Sequence, residues 1–291
     1  MPPDSVIRVG FIGSHACVGL ADRLAGWAKV SVELCQLDAA TDSVRKSAAQ
    51  LAARTDILIT HFEDEETAAV VMLGPDGVLS SARVGLVVLE LSPISPGFIV
   101  ELAARFEAVG SHVYGAALHG NQVYVDAALL EHRDVASLMQ RIAPRIHSTG
   151  DIGTSKAMAI VERLLACVNA TAAAEAVALG VRAGIPEKVL VALLLKGSGG
   201  NQALRSFDAR GVRDETFHEA RTLGPFRRDL ALAVRLGRQH SHSVLFGALA
   251  LAACRGAAGV SGDPQDVCSG ARRWLQDVDS SASTKHTVTE C

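Results

Sequence analysis

Aromatic residues are scarce in this chain, 4% of the total, and its 28 Lys and Arg are scattered rather than clustered. Nucleic-acid recognition leans on a basic face and stacking rings, so no nucleic-acid partner is expected. Cysteine is sparse as well. Cys17, Cys35, Cys167, Cys254, Cys268 and Cys291 lie far apart with no C-x-x-C spacing, which argues against a disulfide framework or zinc site and for reduced thiols in a cytoplasmic protein. No apolar run reaches the ~20 residues that span a bilayer, so no membrane contact is expected. The opening MPPDSVIRVGFIG lacks a charged-then-apolar leader.

What is present is a hydrophobic chain, 49% of 291 residues, with a formal net charge of −3, which suits a globular protein of about two domains. In the first half, short β-branched runs alternate with stretches of helical periodicity. VIRVGFIG (6–13), KVSVEL (29–34), TDILITHF (55–62), GLVVLEL (85–91) and SHVYGAAL (111–118) read as buried parallel strands. That order predicts an α/β fold: an N-terminal Rossmann-type doubly wound sheet over residues 1–150. Ligands of such sheets bind beyond the carboxyl ends of the strands, so 13–15, 61–64, 92–95 and 116–121 should share one crevice.

After Gly153 the periodicity changes. Thr154 to Ala183 is Ala-rich, free of proline, and broken by a single glycine, Gly180, which predicts one helix of about 30 residues, near 45 Å long. Its charges are few, so most of its circumference needs covering by protein. The remainder reads as helices broken at KGSGGNQ, ARGVRDE and GVSGDP, giving an all-helical C-terminal domain over 151–278 and a polar, disordered tail over 279–291.

GFIGSHACVG (10–19) has the shape of a phosphate-binding turn with an altered letter. Gly10, Gly13, Ser14 and His15 are its candidate cofactor contacts, and His15 stands where a second glycine normally lets the backbone approach a pyrophosphate. The imidazole either turns to solvent or contacts a phosphate itself. At the end of the second strand, Leu34 and Cys35 occupy the position expected of a ribose-binding acid or a 2′-phosphate-binding arginine. Asp38 could serve if that strand runs longer.

VGFIG, TDILITHFEDEETAAVVMLGPDGVL, LELSPISP, AALHGN, GDIGTSKAM and GSGGNQAL occur in an order that resembles the β-hydroxyacid dehydrogenase superfamily: 3-hydroxyisobutyrate and 6-phosphogluconate dehydrogenases and the imine reductases. The resemblance covers nearly the whole chain. It implies a nicotinamide cofactor, NADPH or NADH, a small-molecule substrate and a homodimer. It also implies a catalytic lysine followed one helical turn later by an asparagine; aligned without gaps on GDIGTSKAMAIVERLL, those positions are Ala159 and Arg163. A methyl group cannot transfer a proton. Lys156, one turn earlier on the same face, is either a substitute or a solvated first-turn residue.

Where the family shows an acid in its substrate loop, GAALHG carries Gly115, and His119 and Tyr114 are the titratable groups best placed to replace the lysine. Tyr124 and Asp126 read as alternating strand residues. The resemblance further assigns Ser92 to the nicotinamide, and Asn201, Arg163 and Arg228 to substrate, with Asp229 beside Arg228. Two classes of function are compatible with these departures. One is a reductase of a C=N, C=O or C=C bond that lacks the usual lysine. The other has given up the cofactor, either as an isomerase, cyclase or lyase or as a non-catalytic ligand-binding protein.

Overall fold

The structure is a computed structural model and describes residues 6–36, 42–205 and 223–257. By compactness the chain divides into two units, Met1–Ile160 and Val161–Cys291. The division falls inside the long helix, because the first turns of that helix are tied to the sheet.

In the first unit, β1 (Ile7–Gly13), β2 (Val30–Gln36), β3 (Ile57–His61), β4 (Val87–Glu90), β5 (His112–His119), β6 (Gln122–Val125) and β7 (Arg145–Ser148) form one sheet in the order β2-β1-β3-β4-β5-β6-β7. The five expected strands are present and pair in parallel. Two more extend the sheet. β6 folds back antiparallel on β5 through the turn at Gly120, whose φ of 58° suits glycine, and β7 then pairs parallel with β6. β7 escapes sequence reading because Ile146 is its one hydrophobic residue in RIHS, too short a signal for alternation.

Helices α1 (His15–Leu24), α2 (Asp42–Arg54), α3 (Glu65–Leu73), α4 (Pro96–Glu107) and α5 (Arg133–Ile142) cover the sheet. One core packs Phe11, Ile59 and Leu89 against Leu20 and Leu24 of α1 and Leu138 and Met139 of α5. The opposite face packs Ile12, Leu58 and Val88 against Leu51 of α2, Met72 of α3 and Leu102 and Phe106 of α4. Alternate strand residues therefore feed two cores, which is why these strands are apolar on both faces. Local chemistry sets the helix starts. Asp64 caps α3 by accepting from Thr67 N at 2.8 Å, and Ser95 caps α4 with Pro96 following it. At the amino edge, Asp56 accepts from Arg8 and Arg83, and the Arg8 hydrogen bonds lead in holding its carboxyl down to about 2.

In the second unit, α6 (Thr154–Arg182, its first turns belonging to the sheet unit) is followed by α7 (Glu187–Lys196), a helical turn at 202–205, α8 (Leu223–Gln239) and α9 (Leu245–Ala257). All described elements here are helices. Val177 and Ala174 of α6 pack on Leu190 and Val191 of α7, and Cys167 packs on Leu230 of α8 and Ala250 of α9. Gly180 is a contact residue: a Cβ there would run into the Leu190 side chain. By length and composition α6 could cross a membrane, a test that core helices of soluble proteins also pass. The breaks expected at 209–215 and 259–264, and the tail at 279–291, lie outside the described residues.

Candidate active site at the carboxyl edge of the sheet

In a doubly wound sheet the loops diverge where neighbouring strands feed helices on opposite faces, and here that place lies between β1 and β3. Gly13 pairs with His61 at this edge. Its φ is +146°, and a Cβ would overlap the carbonyl oxygen of His61, so only glycine fits. The strand turns directly into α1. Ser14 N donates to His61 O at 3.0 Å, and Ser14 Oγ lies 3.0 Å from His61 Nδ1. Ser14 occupies the N-cap position without a side-chain cap bond, its hydroxyl being turned to His61 instead. The first amides of α1 thus open at the sheet edge, a ready anion site in a fold of this kind. His15 is the first residue of α1, and its side chain lies outside the described part.

Gly10 has a different role from the one expected of it. It lies within β1, and a Cβ there would sit 2.8 Å from Thr55 Cγ2 and 3.1 Å from the Leu51 side chain, so its missing side chain lets α2 close on the strand. β2 runs to Gln36, two residues beyond the expected end. Leu34 and Cys35 are level with Phe11 and Ile12, inside the strand and not past its edge. Cys35 packs on the α2 side, and burial raises its thiol pKa. The carboxyl end of β2, where folds of this kind place a ribose-recognising group, therefore lies at Gln36, and Asp38 lies outside the described residues.

Ser92 follows β4 as expected, but its side chain faces the protein. It is 1% exposed and its Oγ accepts from Phe62 N at 2.7 Å, which fixes the loop after β3 to the loop after β4. Tyr114 sits in mid-strand β5 on the α1 and α5 face, its ring 6.4 Å from His112 and 6.2 Å from His132. Burial and Glu131 raise its phenol pKa. Strand alternation turns it away from the ligand edge. His119 ends β5, carried past the parallel edge by the hairpin, opposite Gln122. Tyr124 and His147 are cross-strand neighbours on that ribbon, their rings 6.0 Å apart, and His147 Nε2 lies 3.0 Å from Gln122 Oε1.

Lys156 is not solvated. It is 1% exposed, and its Nζ donates to the carbonyls of Glu90 (2.7 Å), Ser92 (2.9 Å) and Ala116 (2.8 Å). Burial pushes its ammonium down to about 8, against the pull of the Glu90 and Asp126 carboxylates. Asp126 is equally buried and stands just beyond β6, where its carboxylate accepts from Gly115 N at 2.8 Å and Ser155 N at 3.0 Å. The strand-alternation reading missed this role, since no local pattern shows which backbone amides an aspartate will meet.

In the helical unit, Arg163 lies 4.0 Å from Glu162, and both interact with Asp229 of α8, as does Arg228. Burial raises the Asp229 pKa while the two arginines lower it. Asn201 caps the turn at 202–205: its Oδ1 accepts from Leu204 N at 3.0 Å and its Nδ2 donates to Gly199 O. Among the described residues no group of His, Cys, Asp and Glu is arranged to hold a metal.

Residues 153–274 match the family described as NAD-binding of NADP-dependent 3-hydroxyisobutyrate dehydrogenase. The chain is 25% identical over 236 residues to 2-(hydroxymethyl)glutarate dehydrogenase of Eubacterium barkeri, covering 78% of either chain. It is 28% identical over 273 residues to NAD-dependent L-serine dehydrogenase of Pseudomonas aeruginosa, covering 85% of this chain and 91% of that one. In fold it is similar to the 3-hydroxyisobutyrate dehydrogenase of Mycobacterium tuberculosis, with a TM-score of 0.77 and 18% identity, covering 92% of this chain and 99% of the other. With the glycine turn at β1, the seven-stranded sheet and the long helix that follows it, the chain is similar to the β-hydroxyacid dehydrogenases in sequence and in fold over most of its length.

Proposed function

We propose that the chain is an NAD(P)H-dependent reductase of a C=N, C=O or C=C bond in a small molecule, working without the usual dehydrogenase lysine. Similarity to NAD-dependent dehydrogenases over most of the chain, with the family match over residues 153–274, supports an NAD(P)-dependent oxidoreductase. The observation that carries the cofactor is the Gly13 turn, where absence of a Cβ keeps β1, β3 and α1 close enough to present helix amides at the switch point. When bound, the nicotinamide would supply hydride. The chain's own part is to bind phosphate at Ser14 and the α1 amides, and to hold a proton near the acceptor. His119 is the group for that proton, because β5 carries it past the edge, whereas Tyr114 is directed elsewhere.

Titration with NADPH and NADH, read as a thermal shift, tests this. A ligand present at a hundredfold over Kd stabilises the native state by about 2.7 kcal/mol. Stabilisation by at least one nucleotide is expected. His15→Gly should tighten binding if the imidazole crowds the pyrophosphate, and weaken it, more so below pH ~6.5, if the imidazole donates to a phosphate. No shift with either nucleotide at millimolar concentration would sink the reductase reading in favour of a cofactor-independent enzyme or a ligand-binding protein.

The chain is also proposed to be a homodimer. Val161, Leu165 and Leu179 of α6 are 52%, 62% and 68% exposed, and an apolar helix surface of that kind needs a protein cover. Sedimentation showing a monomer at micromolar concentration would count against it.

A further inference from the structure

Glu90, Lys156 and Asp126 form a buried ionic group that the proposed reaction leaves unused. Each is at most 1% exposed, and each bridges a different pair of elements. The Glu90 carboxylate accepts from Thr60 Oγ1 of β3 and from Ser92 N after β4, both at 2.5 Å. Lys156 spans from the end of β4 to β5, and Asp126 spans from β5 to the first turn of α6. We infer that Lys156 and Asp126 are positioning residues, which fix the spacing of the β4 and β5 ends that would support a dinucleotide and its substrate.

An ammonium has three N–H groups, and all three are spent on carbonyls at 2.7 to 2.9 Å. Two of those carbonyls belong to Glu90 and Ser92, at and just past the last residue of β4, where the ladder gives out and a buried carbonyl needs another donor. Lysine supplies it to both neighbouring strands at once. Glycine at 115 makes room for the second tie. A Cβ there would lie 2.5 Å from Asp126 Oδ2 and 2.8 Å from Ser155 Oγ, so the carboxylate that the superfamily resemblance leads one to expect at 115 arrives instead from position 126. A buried ionic group seldom adds net stability over well-packed apolar side chains, whereas it does demand one geometry. Fixed spacing is therefore the property that this group provides.

The structural claim stands by itself, while its consequence for cofactor affinity rests on the reductase reading. Hydrogen exchange on the full chain, with NADPH affinity measured in parallel, separates the two. In Lys156→Met the amides of Ser92, Ile94 and Ala116 should exchange roughly tenfold faster or more, with Val9 and Phe11 in β1 unchanged. NADPH should bind roughly tenfold more weakly, since small displacements of a preorganised site are costly.

The pair Glu90→Gln/Lys156→Met restores the buried net charge and should recover the melting temperature while strand-end exchange stays fast and NADPH stays weak. Should Lys156→Met fail to fold, this pair carries the test. Unchanged strand-end exchange in the folded variant, or joint recovery of all readouts in the pair, would overturn the inference, because the lysine would then only balance charge. If the wild type binds no NADPH, the reductase reading fails and the exchange rates still decide the role of Lys156.

Discussion

Oxidation of 3-hydroxyisobutyrate or 6-phosphogluconate by the wild-type chain should lie near background, and Ala159→Lys should raise it by about 10²- to 10⁴-fold, the usual contribution of a general acid or base. Position 159 is half-buried on α6, so a lysine introduced there keeps its charge in contact with solvent. Lys156 cannot take the role from one turn away, because its protons are held by three carbonyls and its side chain is closed to solvent. Steady-state assay of both variants with NAD and NADP checks this. Robust oxidation by the wild type would mean that another group serves as the acid and base, and His119→Ala would then show whether it is that imidazole. Arg163, one turn beyond Ala159, is charged where the superfamily resemblance implies an amide, so full restoration by a single lysine is not expected.

Gly13→Ala should cost about 2–6 kcal/mol of unfolding free energy. A φ of +146° is rarely adopted by a residue with a side chain, and holding one in such a sparsely populated region costs on the order of 1–3 kcal/mol. The new methyl would also press on the His61 carbonyl, prising β3 from β1 and disturbing the bond from Ser14 N; overpacking of this kind costs about 1–3 kcal/mol more. Native domains hold only about 5–15 kcal/mol in reserve, so the urea midpoint should fall sharply. Gly19→Ala is the matched control. It lies within α1, exposed, with nothing near its Cβ position, and alanine there should be neutral or gain up to about 1 kcal/mol. Equal midpoints for the two variants would refute the steric account of the turn.

Much of the scaffold is legible in the chain because it rests on periodicity. The five parallel strands and the helix from Thr154 to Arg182 follow from runs of like residues that bury one or two faces. The glycine turn is legible too, since a positive φ beside a parallel strand admits one residue type. Boundaries are less so: β2 continues through the polar Glu33 and Gln36 because β1 offers pairing partners as far as Gly13, which leaves Leu34 and Cys35 within the strand and not at its end.

The site residues divide along the same line. Residue type together with position in the family motifs made Lys156, Tyr114, Ser92 and Asn201 candidates for chemistry, yet each is spent within the protein, on carbonyls, rings, an amide and a helix cap. Asp126 reads from the sequence as an alternating strand residue, yet it is among the most buried acids of the described residues. The hydrogen-bond partners of Asp126 and Lys156 come from segments 11 to 66 residues away, as with Gly115 to Asp126 and Lys156 to Glu90, and no local pattern encodes them. What the sequence by itself determined was the alternation of strands and helices, the long helix and the glycine turn at the end of β1, because propensity, hydrophobic period and sterics act between near neighbours. The tertiary structure decided which polar groups face the ligand edge and which are consumed in holding it, because desolvation makes every buried donor and acceptor find a partner wherever the fold brings one.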